Sequence, residues 1–297
     1  MRTGRTPSLR TRARSLMLRE AGVRRDERIL VAVSGGGDSM ALLHVLAGLR
    51  EALGLTLVAH GIDHGLRPSA ATELDGAEGL ARALGVPFGR TLVRVAPGGN
   101  LQARAREARW TALEEAARAA GARWIATAHH ADDRAETVLL RLLRGAPPAG
   151  LAVLPPREGA RIRPFLRARR REIDAYLARH RLPFAEDPSN RSLRFLRTRV
   201  RHELIPLLER LSPGVVGHLC HLADALGASR GGEPAPLYHL PRTTQAALAA
   251  LAGSPRRGPE ILLPGGLVAR WEGPRGGRSG EASPPRLGGL GGSVERT

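Results

Sequence analysis

The chain has 297 residues, enough for one large domain with an appendage or for two modest domains. Its formal net charge is +18 with a sequence pI near 11.6, which favours a polyanionic partner, nucleic acid ahead of an acidic membrane surface. All 46 residues of the Lys+Arg count are arginine, a bias that a GC-rich genome produces without creating the charge excess by itself. The single cysteine, Cys220, excludes an intrachain disulfide, a multi-cysteine metal site and an internal redox pair, and no run approaches the roughly 18 apolar residues of a membrane span.

The basic, acid-poor N-terminus (Arg2, Arg5, Arg10, Arg12, Arg14) reads as a basic region 1–25 with a helix over 8–21, not a transit peptide, and the chain reads as cytoplasmic. Ile29 to Val33 is a short β-branched strand, followed by Ser34-Gly35-Gly36-Gly37-Asp38-Ser39 and an apolar helix running to Leu49. Strand, glycine turn and helix start form the layout of a phosphate-binding turn. The glycines permit close backbone approach and positive φ. Ser34 and Ser39 add hydroxyl donors, and the helix start aims free N–H groups and partial positive charge at an anion. Asp38 would repel phosphate unless a divalent cation lies between them, so Mg²⁺ is expected there, with Asp38 as its ligand. The turn is not a Walker A loop, which needs Gly-Lys-Ser/Thr at its end.

Leu55 to His60 is a second apolar strand, and a polar connection, 61–69, leads to a helix over 70–84. A third strand is expected over 91–95, a long alanine-rich helix over 101–120, a fourth strand over 124–128 and a helix over 132–144. Alternating strands and helices of these lengths predict an α/β fold, a parallel sheet with helices on both faces. Ligands of such sheets collect beyond the C-terminal strand ends, which gathers the turn at Ser34, the loop after His60 and the loop after Ala128. His60, at a strand end, is a candidate contact for adenine or ribose.

Residues 126–137 pack His129, His130, Asp132, Asp133 and Glu136 around a strand end and helix start. Three readings are open: a metal site, a grip on an ammonium by Asp133 and Glu136 on one helix face, or a solvated helix N-terminus favoured by the dipole. Arg104, Arg106 and Arg109 recur along the helix before Trp110, either to hold substrate phosphates bidentately or as a solvated face. From Arg157 to Leu211 charge rises, with arginines at 161, 163, 167, 169, 170 and 171 before one helix and at 191, 194, 197, 199 and 201 around a second. These are candidate backbone-phosphate contacts or a solvent-facing stripe. Asp187-Pro188-Ser189-Asn190 is a turn and helix cap. Cys220 sits in an apolar helical pattern, 215–226, as a small core residue. Residues 212–272 read as a small C-terminal region with a helix over 243–252 and a hairpin over 261–271, and the Gly/Pro-rich tail 273–297 reads as disordered.

Ser-Gly-Gly-x-Asp-Ser after an apolar strand resembles the PP-loop of the ATP pyrophosphatases, which cleave ATP between its α and β phosphates. Further pieces occur in the order expected of the tRNA(Ile)-lysidine synthase family: Ala59-His60 and Asp63 to Arg67, Asn100 with Ala105-Arg106 and Arg109, Ala126 to Thr137 with Leu142 to Gly145, Arg163-Pro164, and Asp187 to Asn190 with Arg197, Arg199 and Arg201. The match covers about 28–211, the catalytic domain being placed at 26–211. The resemblance implies transfer of AMP from ATP to C2–O of the wobble cytidine in an isoleucine tRNA with a CAU anticodon. Free L-lysine then displaces AMP through its ε-amine, giving lysidine. It further implies ATP binding by Ser34 to Ser39 and His60, lysine binding by Asp133 and Glu136, catalysis by Asp38, Asp133 and Arg109, and tRNA contacts from Arg163, Arg194, Arg197, Arg199 and Arg201. Trp110 stands where the family has Tyr, and Arg134 replaces a polar amide, putting a cation beside the proposed cation site. The segment 261–271 resembles one found after the catalytic domain in longer members. The alternatives are a thiolating tRNA enzyme of the same superfamily, which the lone cysteine opposes, and a non-catalytic RNA-binding protein with a degenerate nucleotide site. The oligomeric state is left open by the sequence, a homodimer being one option.

Overall fold

The computed structural model describes residues 7–63, 69–93, 101–185, 195–230, 261–263 and 267–269. Helix α1 (Leu9–Leu16) is capped by Ser8, whose Oγ accepts the Thr11 N–H at 3.2 Å. A widened turn, Met17–Ala21, carries it on to Gly22, left-handed at φ 74°. This is the basic helix expected over 8–21: Leu9, Ala13, Leu16 and Met17 are buried while Arg10 and Arg14 face outward.

Strand β1 (Arg28–Val33) leads into α2 (Gly37–Ala47) and the short α3 (Arg50–Leu53). Then follow β2 (Thr56–Asp63), α4 (Ser69–Ala83), β3 (Phe88–Leu92), α5 (Leu101–Ala119), β4 (Trp124–Ala126) and α6 (Ala131–Leu142). A hairpin of β5 (Arg157–Glu158) and β6 (Arg161–Ile162) precedes α7 (Arg170–His180), α8 (Leu196–Arg199), a wide turn Val200–Leu204, α9 (Ile205–Leu211) and α10 (Val215–Arg230). The six strands form one sheet in the order β3-β2-β1-β4-β6-β5, parallel except for β5. The expected parallel sheet is therefore present.

Three strand boundaries differ from expectation, and pairing explains two of them. β3 lies at Phe88–Leu92 and not at 91–95, because it pairs with β2 from Ala59↔Phe88 to Asp63↔Leu92. The same pairing extends β2 through Asp63, so His60 is an interior strand residue and not its last. β4 ends at Ala126, two residues before the expected end. The two-residue strands β5 and β6 are too short to leave a periodic signal in the sequence.

β1 is buried along nearly its whole length because both faces of the sheet are covered. Ile29, Val31 and Val33 join Leu9, Leu16, Met40, Leu43, Ala77, Phe165 and Ile173, which come from α1, α2, α4 and the segment leading through α7. Leu30 and Ala32 point the other way, onto Leu113 and Ala117 of α5. A further cluster joins Ala131, Ala135 and Leu139 of α6 to Val200, Ile205, Val216 and Cys220. Cys220 Sγ donates to the Ala131 carbonyl at 3.4 Å, and burial pushes its thiol up to about 11.

The chain divides into two units, Met1–Asp224 and Ala225–Thr297. In the second, strands β7 (Ile261–Leu263) and β8 (Leu267–Ala269) pair antiparallel within the segment expected to be a hairpin. The helix expected over 243–252 and the tail 273–297 lie outside the described residues. Among the described residues no helix is long and apolar enough to cross a membrane.

Buried charge ties α6 and the turn after α1 to α10. The Asp224 carboxylate takes Arg134 Nη1 at 2.6 Å and Arg167 Nη1 at 2.5 Å, and Arg167 Nη2 reaches Glu20 Oε2 at 2.7 Å. The Arg134 side chain is 2% exposed and that of Asp224 8%. Removing one partner leaves a guanidinium desolvated without its counter-charge, which costs roughly 3–5 kcal/mol. D224N is therefore expected to lower unfolding stability in urea by about 3 kcal/mol; a loss below about 1 kcal/mol would mean that the network adds little.

Candidate active site

β1 and β4 are parallel neighbours, but the chain visits β2 and β3 between them, so their C-terminal ends mark the switch point of the sheet. The turn after Val33 and the segment after Ala126 open there onto one cleft of about 1190 Å³. Ser34, Gly36, Gly37, Asp38, Ser39, His60, Arg109, Asp133, Glu136, Arg197 and Arg201 all line it. The topology thus gathers residues that lie far apart in sequence.

In the turn, Gly35 has φ 81°, and a Cβ there would lie 2.4 Å from the Glu73 carbonyl oxygen. Glycine is required on both counts. The Gly35 carbonyl accepts the Ala185 N–H at 3.0 Å, so the segment after α7 braces the turn through an isolated bridge. Ser39 Oγ accepts the Ser34 N–H at 3.1 Å and donates to the Gly36 carbonyl at 2.8 Å, closing the turn internally. Gly36 is the N-cap of α2, leaving the first N–H groups of that helix directed at the cleft without intrahelical partners.

Asp38, in the first turn of α2, is mostly buried. Its Oδ2 takes Arg170 Nη1 at 2.8 Å, while its Oδ1 is buried with no hydrogen-bond partner among the described residues. Burial raises its pKa, with His130 and Arg170 opposing.

On the β4 side, His130 caps α6: its Nδ1 accepts the Asp133 N–H at 3.3 Å, and Asp133 Oδ2 accepts the His130 N–H at 3.1 Å. The His130 ring is buried between both halves of the cleft, with Nε2 at 3.8 Å from Asp38 Oδ2 and 3.4 Å from Asp133 Oδ2. His129 hydrogen-bonds Thr127 Oγ1 at 2.9 Å, and burial holds it down to about 4, so it is neutral at pH 7. Burial alone would raise Asp133, but His130, His129 and Arg197 hold its carboxyl below the usual range.

Asp133 and Glu136 share a face of α6 as expected, and both are engaged by arginine. Arg197 Nε reaches Glu136 Oε2 at 2.9 Å, and Arg201 Nε reaches Glu136 Oε1 at 2.5 Å. Asp132 lines the cleft too but is engaged by α7, accepting the Arg170 N–H at 2.7 Å and Arg169 Nε at 3.1 Å, which fixes the start of that helix. Arg134 faces away: its guanidinium meets Asp224 and the Val153 carbonyl. The expected cation beside the Asp133–Glu136 pair is thus not there.

Arg109 projects from α5 into the cleft, and burial, together with Arg106, lowers its pKa. His60 Nε2 contacts Thr91 Oγ1 at 2.9 Å on the neighbouring strand, and burial lowers its pKa. Arg163 is buried, giving Nη1 to the Pro155 carbonyl and Nη2 to Glu158, both at 2.6 Å, and so anchors the β5–β6 hairpin. Arg199 is exposed and pairs with Glu203 at 3.0 Å. Arg194, Asn100, residues 64–67 and residues 187–190 lie outside the described residues. Sequence reasoning missed His130 as cap and bridge, and Arg170 as partner of Asp38. Histidine before a helical Asp-Asp pair was a usable signal for the first; nothing local signalled the second.

A family model described as a PP-loop domain matches residues 8–208. The tRNA(Ile)-lysidine synthase of Geobacter sulfurreducens is 40% identical over 249 residues, 80% of this chain and 53% of that protein. That of Symbiobacterium thermophilum is 43% identical over 228 residues, 72% of this chain and 47% of that protein. The chain spans about half the length of these curated relatives. Among solved structures, the U34-tRNA thiolase NcsA from Methanococcus maripaludis, with its 4Fe-4S cluster, superposes with a TM-score of 0.62 at 18% identity, covering 73% of this chain and 78% of that one; at that identity only the fold is shared. With the matched region taking in the whole sheet and the glycine turn that faces Asp133 and Glu136 across the cleft, the chain belongs to the PP-loop domain family.

Proposed function

We propose that the protein is a tRNA(Ile)-lysidine synthase, which uses ATP to attach free L-lysine to C2 of the wobble cytidine of an isoleucine tRNA with a CAU anticodon. The observation that carries this reading is one cleft with an anion-binding turn on one wall and a buried carboxylate pair on the other. ATP needs the first, and the ammonium of lysine needs the second.

The N–H groups at the start of α2 and the hydroxyl of Ser34 hold the phosphates of ATP. Asp38 Oδ1, a buried carboxylate oxygen without a partner among the described residues, fits a hard divalent cation. Mg²⁺ held there, when bound, would neutralise phosphate charge. His60, within β2 beside β1, borders the same wall of the cleft, where the nucleoside end of ATP is assigned. The cytidine C2 oxygen attacks the α-phosphorus, and pyrophosphate leaves toward the turn. Arg109, half-buried on the wall of the same cleft, steadies the negative charge that develops on the transferring group. The lysine ε-amine, held by Asp133 and Glu136, loses a proton to one of these carboxylates or to a neighbouring histidine. It then forms the C2–N bond as the C2–O bond breaks, and AMP departs with that oxygen. Arg194, Arg197, Arg199 and Arg201 are assigned to tRNA phosphates; Arg163 is engaged instead by the Pro155 carbonyl and Glu158.

The thiolase reading is disfavoured by Cys220. It is the lone cysteine of the chain, it is buried, and its thiol is pushed up to about 11, away from the thiolate that sulfur chemistry requires.

The proposal is tested with the full chain, Mg²⁺-ATP, radiolabelled lysine and transcribed isoleucine tRNA bearing CAU, with a methionine tRNA of the same anticodon as control. Label is expected in the isoleucine tRNA alone, with AMP formed in step. Label in neither tRNA while ATP is still cleaved to AMP would place the chain among PP-loop enzymes with another nucleophile. G35A is expected to abolish AMP formation, since the left-handed φ and the Glu73 carbonyl both exclude a Cβ. Retention of more than about a tenth of wild-type AMP formation, a barrier change below about 1.4 kcal/mol, would show that the turn tolerates displacement.

A further inference from the structure

The carboxylate pair assigned to lysine already holds two cations of the chain's own. All four oxygens have an N–H donor. Glu136 Oε1 takes Arg201 Nε at 2.5 Å, and Oε2 takes Arg197 Nε at 2.9 Å and Arg201 Nη2 at 3.0 Å. Asp133 Oδ1 takes Arg197 Nη2 at 3.3 Å and Arg201 Nη2 at 3.4 Å, and Oδ2 takes the His130 N–H at 3.1 Å. Arg197 and Arg201 are four residues apart across the end of α8 and the wide turn, so both project from one face. The Glu136 side chain is 1% exposed, whereas those of Arg197 and Arg201 are 48% and 32% exposed. The guanidinium groups therefore form the outer cover of the carboxylates.

The phosphate side of the cleft is different. Arg170 occupies Asp38 Oδ2, but Oδ1 has no partner among the described residues. Asp38 thus keeps one carboxylate oxygen without a donor among the described residues, while a cation approaching Glu136 meets two like charges first.

Resting on the assignment of Asp133 and Glu136 to lysine, we propose that Arg197 and Arg201 are a cationic gate over the ammonium site, drawn off by tRNA phosphates, so that lysine binds after tRNA. A guanidinium that leaves for phosphate, where it pairs bidentately, vacates Glu136 for the single ammonium, while Asp133 keeps the His130 N–H. Once lysine is bound, Glu136 has the ammonium as its counter-charge; until then it competes with the tRNA phosphates for the guanidinium groups, because a buried charge without a partner is costly. The gate reduces apparent lysine affinity by the fraction of molecules in which it is open. Partly exposed pairs of this kind are each worth about threefold in an equilibrium, so the pair together is worth about tenfold.

The test is calorimetric titration of lysine into the full chain without ATP, so that no turnover occurs, with and without the isoleucine tRNA. Wild-type protein is expected to bind lysine about tenfold more tightly when tRNA is present. This comparison needs no variant and is immune to misfolding. R197Q, which leaves Arg201 on Glu136, is expected to bind lysine about threefold more tightly than wild type without tRNA, and to gain less from tRNA. Equal wild-type affinity with and without tRNA, or no lysine binding in either state, overturns the gate. R197Q with the wild-type tRNA dependence overturns it too. D133N/E136Q, checked for folding by circular dichroism, separates the two ideas: lysine binding retained in this variant would remove the lysine-site assignment itself, whereas loss of binding with no tRNA effect in wild type removes only the gate.

Discussion

The parallel pairing of β1 with β4, from Ile29↔Trp124 to Val31↔Ala126, is the constraint on which the site depends. It puts two chain segments nearly a hundred residues apart side by side and ends both on the same edge of the sheet. The glycine turn supplies backbone N–H groups and a helix start, and the other segment supplies histidines and carboxylates. A slip of one residue would turn Leu30 and Ile125 to the opposite face and take both segments out of alignment. Burial enforces the register, because both faces of β1 are covered and alternate residues belong to different clusters.

Charge is the second organising fact. Without lysine, every fixed side-chain cation of this chain is a guanidinium, and guanidinium groups pair with carboxylates in planar, multidentate fashion. In the cleft this has gone far: Asp38 is held by Arg170, Asp132 by Arg169, and Asp133 with Glu136 by Arg197 and Arg201. The positive surface read from composition as a footprint for RNA is, at these arginines, turned inward onto acids. The same residues thus serve as counter-ions in the free protein and, in the proposed function, as phosphate ligands in the complex.

Much of this was legible in the sequence because its signals are local. Ile29 to Ser39 encodes strand, turn and helix start within eleven residues, and Gly35 is required by its own φ. The spacing of Asp133 and Glu136 puts them on one face without reference to the rest of the fold. What sequence reading missed depends on long-range pairing. His60 looked like a strand end until β3 extended β2 beyond it. Arg163 looked like a surface arginine, yet the hairpin buries it against the Pro155 carbonyl and Glu158. Arg134 looked like a neighbour of the ammonium site, but its partner Asp224 lies ninety residues on and draws it to the other side of α6. Such charged contacts leave no periodic trace.

In the proposed function the two walls of one cleft perform separate steps, phosphates on the turn and lysine on the carboxylates. The most direct measurement is the ratio of pyrophosphate released to lysine incorporated into tRNA, in wild-type protein and in D133N/E136Q. If the walls act separately, pyrophosphate release persists in the variant while lysine incorporation falls at least a hundredfold at low lysine, the scale expected when about 3 kcal/mol of charged hydrogen bonding is removed. Loss of both together, or of neither, would contradict the assignment of these carboxylates to lysine.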